Sequence, residues 1–271
     1  ILVLYKGANF KSTMFKQYKN ILLNIIKNRD FTTLVEKIKN KFDSDTSVEA
    51  KDWAKENKTN LENFCKTKDK KLWEDCLVEF NKIEKEILIR LKKIPEKYHC
   101  PANLPLLYFL IRYFKPNQII ETGVAAGTSS ETILHAIKKN GSGFLYSSDL
   151  PYYKVKNAEK FIGSVVSDDL KKFWKLDIRG DSLALDNFIS LCEKIDFFHY
   201  DSNKSYSGRD FAIKKVSKYF MPNSILLMDD IQDNIYFKNF VKEYKLEFKV
   251  FKFKDQYVGL IEKIGLQLKD K

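Results

Sequence analysis

Glycine and proline are nearly missing from the first 97 residues, where only Gly7 and Pro95 occur. That scarcity excludes a turn-rich β fold in this stretch and leaves helices. Cysteine is scarce too: Cys65, Cys76, Cys100 and Cys192 stand apart, with no C-x-x-C pair. A zinc ribbon and a disulfide framework are thereby excluded, and a reducing, cytoplasmic setting is expected. No apolar run reaches the roughly 18–20 residues of a membrane-spanning helix. The apolar opening, Ile1 to Tyr5, has no basic stretch ahead of it and is followed by Lys6, so a secretory leader is not expected there. Long runs of one charge are also missing. The net charge of +12 comes from lysines interleaved with Asp and Glu, clustered only in pairs such as Lys70-Lys71 and Lys92-Lys93. Such spacing reads as a solvated exterior, and nucleic acid is not expected as a partner.

What is present centres on Gln118 to Ser130. A short apolar run, Ile119 and Ile120, ends in Glu121; two glycines follow, Gly123 and Gly127, and Thr128-Ser129-Ser130 opens a periodic apolar segment. That order predicts strand, tight loop and helix, with Thr128 or Ser129 as the cap. A dinucleotide fingerprint would place glycine where Glu121 stands. A carboxylate there repels a pyrophosphate but suits a ligand carrying an ammonium and a sulfonium, such as S-adenosylmethionine. Gly123 and Gly127 would let the backbone approach that ligand closely.

With 44% hydrophobic residues among 271, the chain can bury a large core. Residues 1–97 are expected to form a helical appendage, with helices over 15–28, 31–42, 48–65 and 72–93. On the last, Leu77, Phe80, Ile83, Ile87 and Leu91 recur at spacings of three and four and so share one stripe. The appendage reads equally as a lid, a substrate wall or a dimer surface, the last implying a homodimer or larger homo-oligomer.

Residues 98–271 are expected to form the second unit, with a helix over 104–114 and then alternating strands and helices. The strands are placed at 118–122, 143–148, 174–179, 195–200, 224–228, 246–253 and 257–262, and the helices at 129–139, 167–173, 183–194, 208–220 and 234–244. The fold class predicted is α/β, Rossmann-like: a seven-stranded, mostly parallel sheet covered on both faces. Only Lys254-Asp255-Gln256 separates the last two strands, too little for a crossover, so they must form an antiparallel hairpin.

In an open α/β sheet the ligand lies beyond the carboxyl ends of the strands. Acids gather there. Asp149 ends the second strand, where it can accept from ribose hydroxyls or cap a turn. Asp181 and Ser182 follow the third, where they can reach an adenine or cap the next helix. Asp201 ends the fourth and Asp229-Asp230 ends the fifth. Three carboxylates on neighbouring strand ends repel one another unless a cation lies between them, and Mg²⁺ on oxygen ligands is the economical choice. Lys204, three residues past Asp201, could lean over the same space. Beside a bound cation its pKa would fall, as a general base requires. His199 is expected to point away from Asp201, on the alternation of strand neighbours, and to serve structure.

These residues carry a family likeness. The segment from about 98 to 263 resembles the class I S-adenosylmethionine-dependent methyltransferases, within them the group of metal-dependent catechol-type and sugar O-methyltransferases. The likeness rests on E-T-G-V-A-A-G-T-S-S at 121–130, Y-S-S-D-L-P at 146–151, G-D-S at 180–182, D-S-N-K-S-Y at 201–206 and M-D-D at 228–230. It implies that Glu121, Gly123, Gly127, Ser129, Asp149, Asp181 and Ser182 bind cofactor. It also implies that Asp201, Asp229 and Asp230 hold a divalent metal, with Lys204 and Asp201 as the catalytic pair. The expected reaction is O-methylation of a small hydroxylated acceptor, a sugar or a catechol-like diol. Two rivals are a methyltransferase acting on RNA or protein and a non-catalytic cofactor-binding scaffold. Salt-sensitive RNA binding would favour the first, and absence of transfer to any acceptor the second.

Overall fold

The computed structural model describes residues 46–152 and 156–269. The helices expected over 15–28 and 31–42 lie outside the described residues. Helix α1 spans Ser47–Glu56, α2 Leu61–Leu91 and α3 Leu104–Phe114. Strand β1 is Gln118–Thr122, followed by α4, Thr128–Asn140, then β2, Phe144–Ser148, and β3, Trp174–Asp177. Next come α5, Asp181–Cys192; β4, Ile195–Tyr200; α6, Tyr206–Val216; and β5, Phe220–Met228. The chain continues through α7, Tyr236–Glu243, β6, Lys249–Phe253, and β7, Gln256–Ile261, into α8, Ile264–Lys269.

The seven strands form one sheet in the order β3-β2-β1-β4-β5-β7-β6. Only β7 runs against its neighbours, pairing antiparallel with both β5 and β6, as the short 254–256 connection requires. Strand alternation sorts the core into two layers. Ile119 and Phe197 face α2, α3 and α4. Ile120 and Phe198, one residue on, face α5, α6 and α7. Burying each such side chain stabilises the fold by about 1.5–3 kcal/mol. Helix α2 shares the first layer, with Phe80 against Tyr108 and Trp73 edge-on to Phe109, so its stripe packs into the same core as the sheet.

Local chemistry sets the element ends. The Asn103 side chain caps α3 by accepting from Leu106 N, and Lys115 adopts a left-handed conformation just ahead of Pro116. The break expected between helices near residue 70 is a kink. Asp69 has extended backbone angles, and its carboxylate accepts from Leu72 N at 2.9 Å, capping the second half. The true interruption comes earlier, at Asn57 to Asn60, where Thr59 N bonds to Val250 O at 2.7 Å.

Two expectations are corrected, and one further helix is present. The stretch 167–173 forms a 3-10 turn over Asp168–Phe173 rather than an α-helix, because β3 follows at once. Strand β5 starts at Phe220, four residues early, with a register irregularity against β4 that leaves Met221, Pro222 and Asn223 exposed. Pro222 has no N–H for the ladder and sits where none is needed. Helix α8 was not anticipated. Gly265 lets it lie on β5: a Cβ there would stand 2.1 Å from Met221 O.

Candidate active site

The strand order reverses between β1 and β4, and the crevice at such a point collects the residues that follow both strands. Backbone bonds carry the ladder past the strand ends: Gly123 N to Ser148 O at 2.8 Å, Asp201 N to Thr122 O at 2.8 Å, and Asp229 N to Tyr200 O at 2.9 Å. Gly123, Asp149, Asp201 and Asp229 are thereby brought to one level. Gly123 has φ +87, and a Cβ on it would stand 2.4 Å from Asp201 O, so only glycine permits β1 and β4 to remain this close.

Asp149 fixes the glycine loop. Its Oδ2 accepts from Val124 N at 3.1 Å and Ala125 N at 2.7 Å. These N–H groups therefore face a carboxylate of the protein rather than open space where a phosphate could sit. A cavity of about 250 Å³ opens above the loop. Of the residues expected from sequence, Gly123, Ser129, Asp149, Asp181, Asp201, Lys204 and Asp230 line it. Asp181 reaches it as the first residue of α5, accepting from Ser148 Oγ at 2.7 Å and Ser202 Oγ at 2.5 Å. A larger hollow of about 490 Å³, between α6, α7 and α8, gathers Tyr206, Tyr236 and Phe240 but no strand carboxyl end.

Four expected residues do not line the cavity. Glu121 is wholly buried, its Oε2 accepting from Ser130 Oγ at 2.5 Å and Ser147 Oγ at 2.7 Å, so it braces the loop from beneath instead of meeting a ligand. Gly127 serves packing: a Cβ there would stand 2.8 Å from Gly163 Cα. It is itself the N-cap of α4, and no side chain caps that helix, contrary to the roles expected of Thr128 and Ser129. Ser182 is the second residue of α5, where its carbonyl accepts from Lys215 Nζ at 3.3 Å. Asp229 turns inward.

His199 explains that inward turn. Its Nε2 lies 3.5 Å from Asp229 Oδ2 and its Nδ1 3.5 Å from Glu121 Oε1, at a site 1% exposed. Burial alone favours the neutral ring, but the Asp229 and Glu121 carboxylates outweigh it and lift the imidazole to about 10. A buried imidazolium thus ties β1, β4 and β5 together. The expectation that His199 points away from Asp201 is corrected, since residues two apart on a strand share a face.

Lys204 occupies the remaining space between the acids. Its Nζ contacts Asp201 Oδ1, lies 3.1 Å from Asp201 O, and is 2.9 Å from Asp230 Oδ2. Burial opposes its charge, but the Asp201 and Asp230 carboxylates prevail and raise its pKa above the ordinary lysine value. With the two carboxylates as its neighbours, Lys204 is therefore held as an ammonium, whereas the lowered pKa was expected beside a bound cation. Burial pushes Asp201 up to about 6, with Lys204 opposing and Asp229 adding. Asp230 is also desolvated, yet Lys204 holds its carboxyl below the usual range.

This arrangement does not fit a dication on Asp201, Asp229 and Asp230. Asp229 is committed to His199, the ammonium of Lys204 fills the gap between the other two, and among the described residues no group of three or more His, Cys, Asp or Glu could hold a metal ion.

Sequence reading missed Arg209 and Asn234, which hold these loops. Arg209 is fully buried and donates to Asp229 O at 3.1 Å, Asp230 O at 2.8 Å and Lys204 O at 3.4 Å. Asn234 Nδ2 donates to the same Lys204 carbonyl at 2.5 Å. The one trace in sequence is that Arg209 is among only five arginines in a chain that otherwise uses lysine.

Residues 120–231, which run from β1 through the acids after β5, match the family described as methyltransferase domain. No curated protein matches the chain. Among solved structures, the chain is similar to a candidate caffeoyl-CoA O-methyltransferase from Staphylococcus aureus, at 14% identity and TM-score 0.51 over 69% of this chain and 99% of that one. It is also similar to the O-methyltransferase TomG from Streptomyces achromogenes, involved in tomaymycin synthesis and solved with S-adenosylmethionine, at 14% identity and TM-score 0.50 over 66% and 88%. At these identities the likeness is one of fold. Among the described residues, no helix is long and apolar enough to cross a membrane.

Proposed function

We propose that the chain transfers a methyl group from S-adenosylmethionine to a hydroxyl oxygen of a small acceptor. The observation carrying this reading is the cavity at the sheet's reversal point, floored by the Asp149-braced glycine loop and walled by Asp181 and Asp201. Its carboxylates suit the hydroxyl, amine and ammonium donors of that cofactor. Asp149 would take the ribose hydroxyls and Asp181 the adenine side. When bound, the cofactor supplies a methyl already activated on a positively charged sulfur. The chain's part is then chiefly positioning, since two reactants held in line and near contact need little further help. Asp201 Oδ2, the oxygen not held by Lys204, would take the acceptor's proton as the methyl group is transferred. Asp201, raised to about 6 by burial, is a stronger base than an ordinary carboxylate yet remains ionised at neutral pH.

A divalent ion has no part in this proposal, because Asp229 turns to His199 and the Lys204 ammonium stands between Asp201 and Asp230. The preference for a vicinal diol rested on chelation and goes with it, leaving a small hydroxylated molecule as the acceptor class. Calorimetric titration with S-adenosylhomocysteine tests the cofactor reading. The wild type is expected to bind, and Asp149→Ala to bind at least ten-fold more weakly, since hydrogen bonds to a charged group are worth about 1.5–3 kcal/mol. A folded wild type that takes up no S-adenosylhomocysteine would sink the proposal.

A further inference from the structure

We infer that the ammonium of Lys204 takes the electrostatic place of a divalent cation between the strand-end acids, so that this site works without bound Mg²⁺ or Mn²⁺. The inference rests on the methyltransferase reading of the site. Its ground is where four charged groups point. Lys204 Nζ touches a carboxylate on each side, Asp201 after β4 and Asp230 after β5. Asp230 is held in a left-handed conformation, φ +54, while Asp229, just before it, faces His199 at 3.5 Å. The acid pair is thus split: one member serves the cavity and the other serves the buried imidazolium.

The lysine is anchored rather than loosely draped. Its carbonyl accepts from both Asn234 and Arg209, and the same guanidinium holds the carbonyls of Asp229 and Asp230. One buried arginine therefore fixes the spacing between the lysine and the β5 acids. A dication entering this space would displace an ammonium held by two carboxylates, would lie close to that displaced charge, and would find Asp229 already paired. A single built-in positive charge beside Asp201 and Asp230 supplies what the acids require, and no ion must be recruited.

The test uses the full chain, stripped with chelator and titrated with MgCl₂ by calorimetry and with MnCl₂ by the electron paramagnetic resonance signal of free Mn²⁺. The wild type is expected to take up neither ion below millimolar concentration, and to bind S-adenosylhomocysteine equally with and without chelator. Lys204→Met, which keeps the length of the side chain and removes its charge, is expected to bind Mn²⁺ at least ten-fold more tightly than the wild type. Adding Asp230→Asn to that variant is expected to abolish the gain. Wild-type uptake of either ion at micromolar concentration overturns the inference, and that measurement stands whether or not the variants fold. A folded Lys204→Met protein with no gain in Mn²⁺ affinity overturns it as well. Metal uptake with intact S-adenosylhomocysteine binding would defeat this inference alone, whereas loss of S-adenosylhomocysteine binding would defeat the cofactor reading.

Discussion

Replacing Gly123 by alanine is expected to damage both stability and cofactor binding, and Gly141→Ala separates the two causes. Both glycines have positive φ, +87 and +75, where a side chain costs about 1–2 kcal/mol. Gly141 ends α4, and a Cβ there meets nothing within 4 Å, so Gly141→Ala should cost the backbone strain and no more. At Gly123 the added Cβ would stand 2.4 Å from Asp201 O and 2.6 Å from Asp201 C. These are backbone atoms at the end of β4 and cannot swing aside, so overpacking adds about 1–3 kcal/mol. The alanine's narrower unfolded ensemble returns a little in both variants and cancels between them. Chemical denaturation should therefore show a loss of about 1–2 kcal/mol for Gly141→Ala and about 2–5 kcal/mol for Gly123→Ala. Forcing β1 and β4 apart also moves Asp201 relative to the glycine loop. S-adenosylhomocysteine should bind about ten-fold more weakly to Gly123→Ala, roughly 1.4 kcal/mol, and unchanged to Gly141→Ala. Equal losses in the two variants, or an unaltered affinity at Gly123→Ala, would refute the argument that this glycine exists for the strand contact.

Arg209→Met should destabilise the protein by about 3 kcal/mol or more, because each buried carbonyl left without its donor costs about 1–3 kcal/mol and relief of the desolvated guanidinium offsets only part. Arg209→Lys should restore little, lacking the fork that reaches several carbonyls; a loss under about 1 kcal/mol in urea denaturation would contradict this. The His199 imidazole, raised from 6.5 to about 10, contributes stability that is complete below its ordinary value and lost as pH climbs through the raised one. Between these limits the stability gap between wild type and His199→Gln should close by up to about 1.4 kcal/mol per pH unit. A gap that stays constant from neutral pH to pH 10 would remove the buried imidazolium from the account.

Short-range pattern was enough to place β1 and β4 to the residue, because apolar runs bounded by glycine, acid or proline leave few choices. The three-residue link at 254–256 likewise demanded an antiparallel hairpin. Position along a strand also placed Asp149, Asp181, Asp201 and Asp230 at the crevice, since residues after parallel strands must emerge at one rim. Sequence could not reveal which way a side chain turns once there. Glu121 and Asp229 occupy the expected positions, but they face His199 beneath the rim, a partnership made by three strands distant in sequence. Lys204 sits three residues from Asp201, as any reader of the chain can see; that it also meets Asp230 depends on Arg209 gripping both loops. Local spacing determines the sheet and its rim of acids, because it sets backbone period and turn geometry. The partner of each charge is decided only when tertiary packing chooses among several nearby opposites and strips away the water that would have made the choice indifferent.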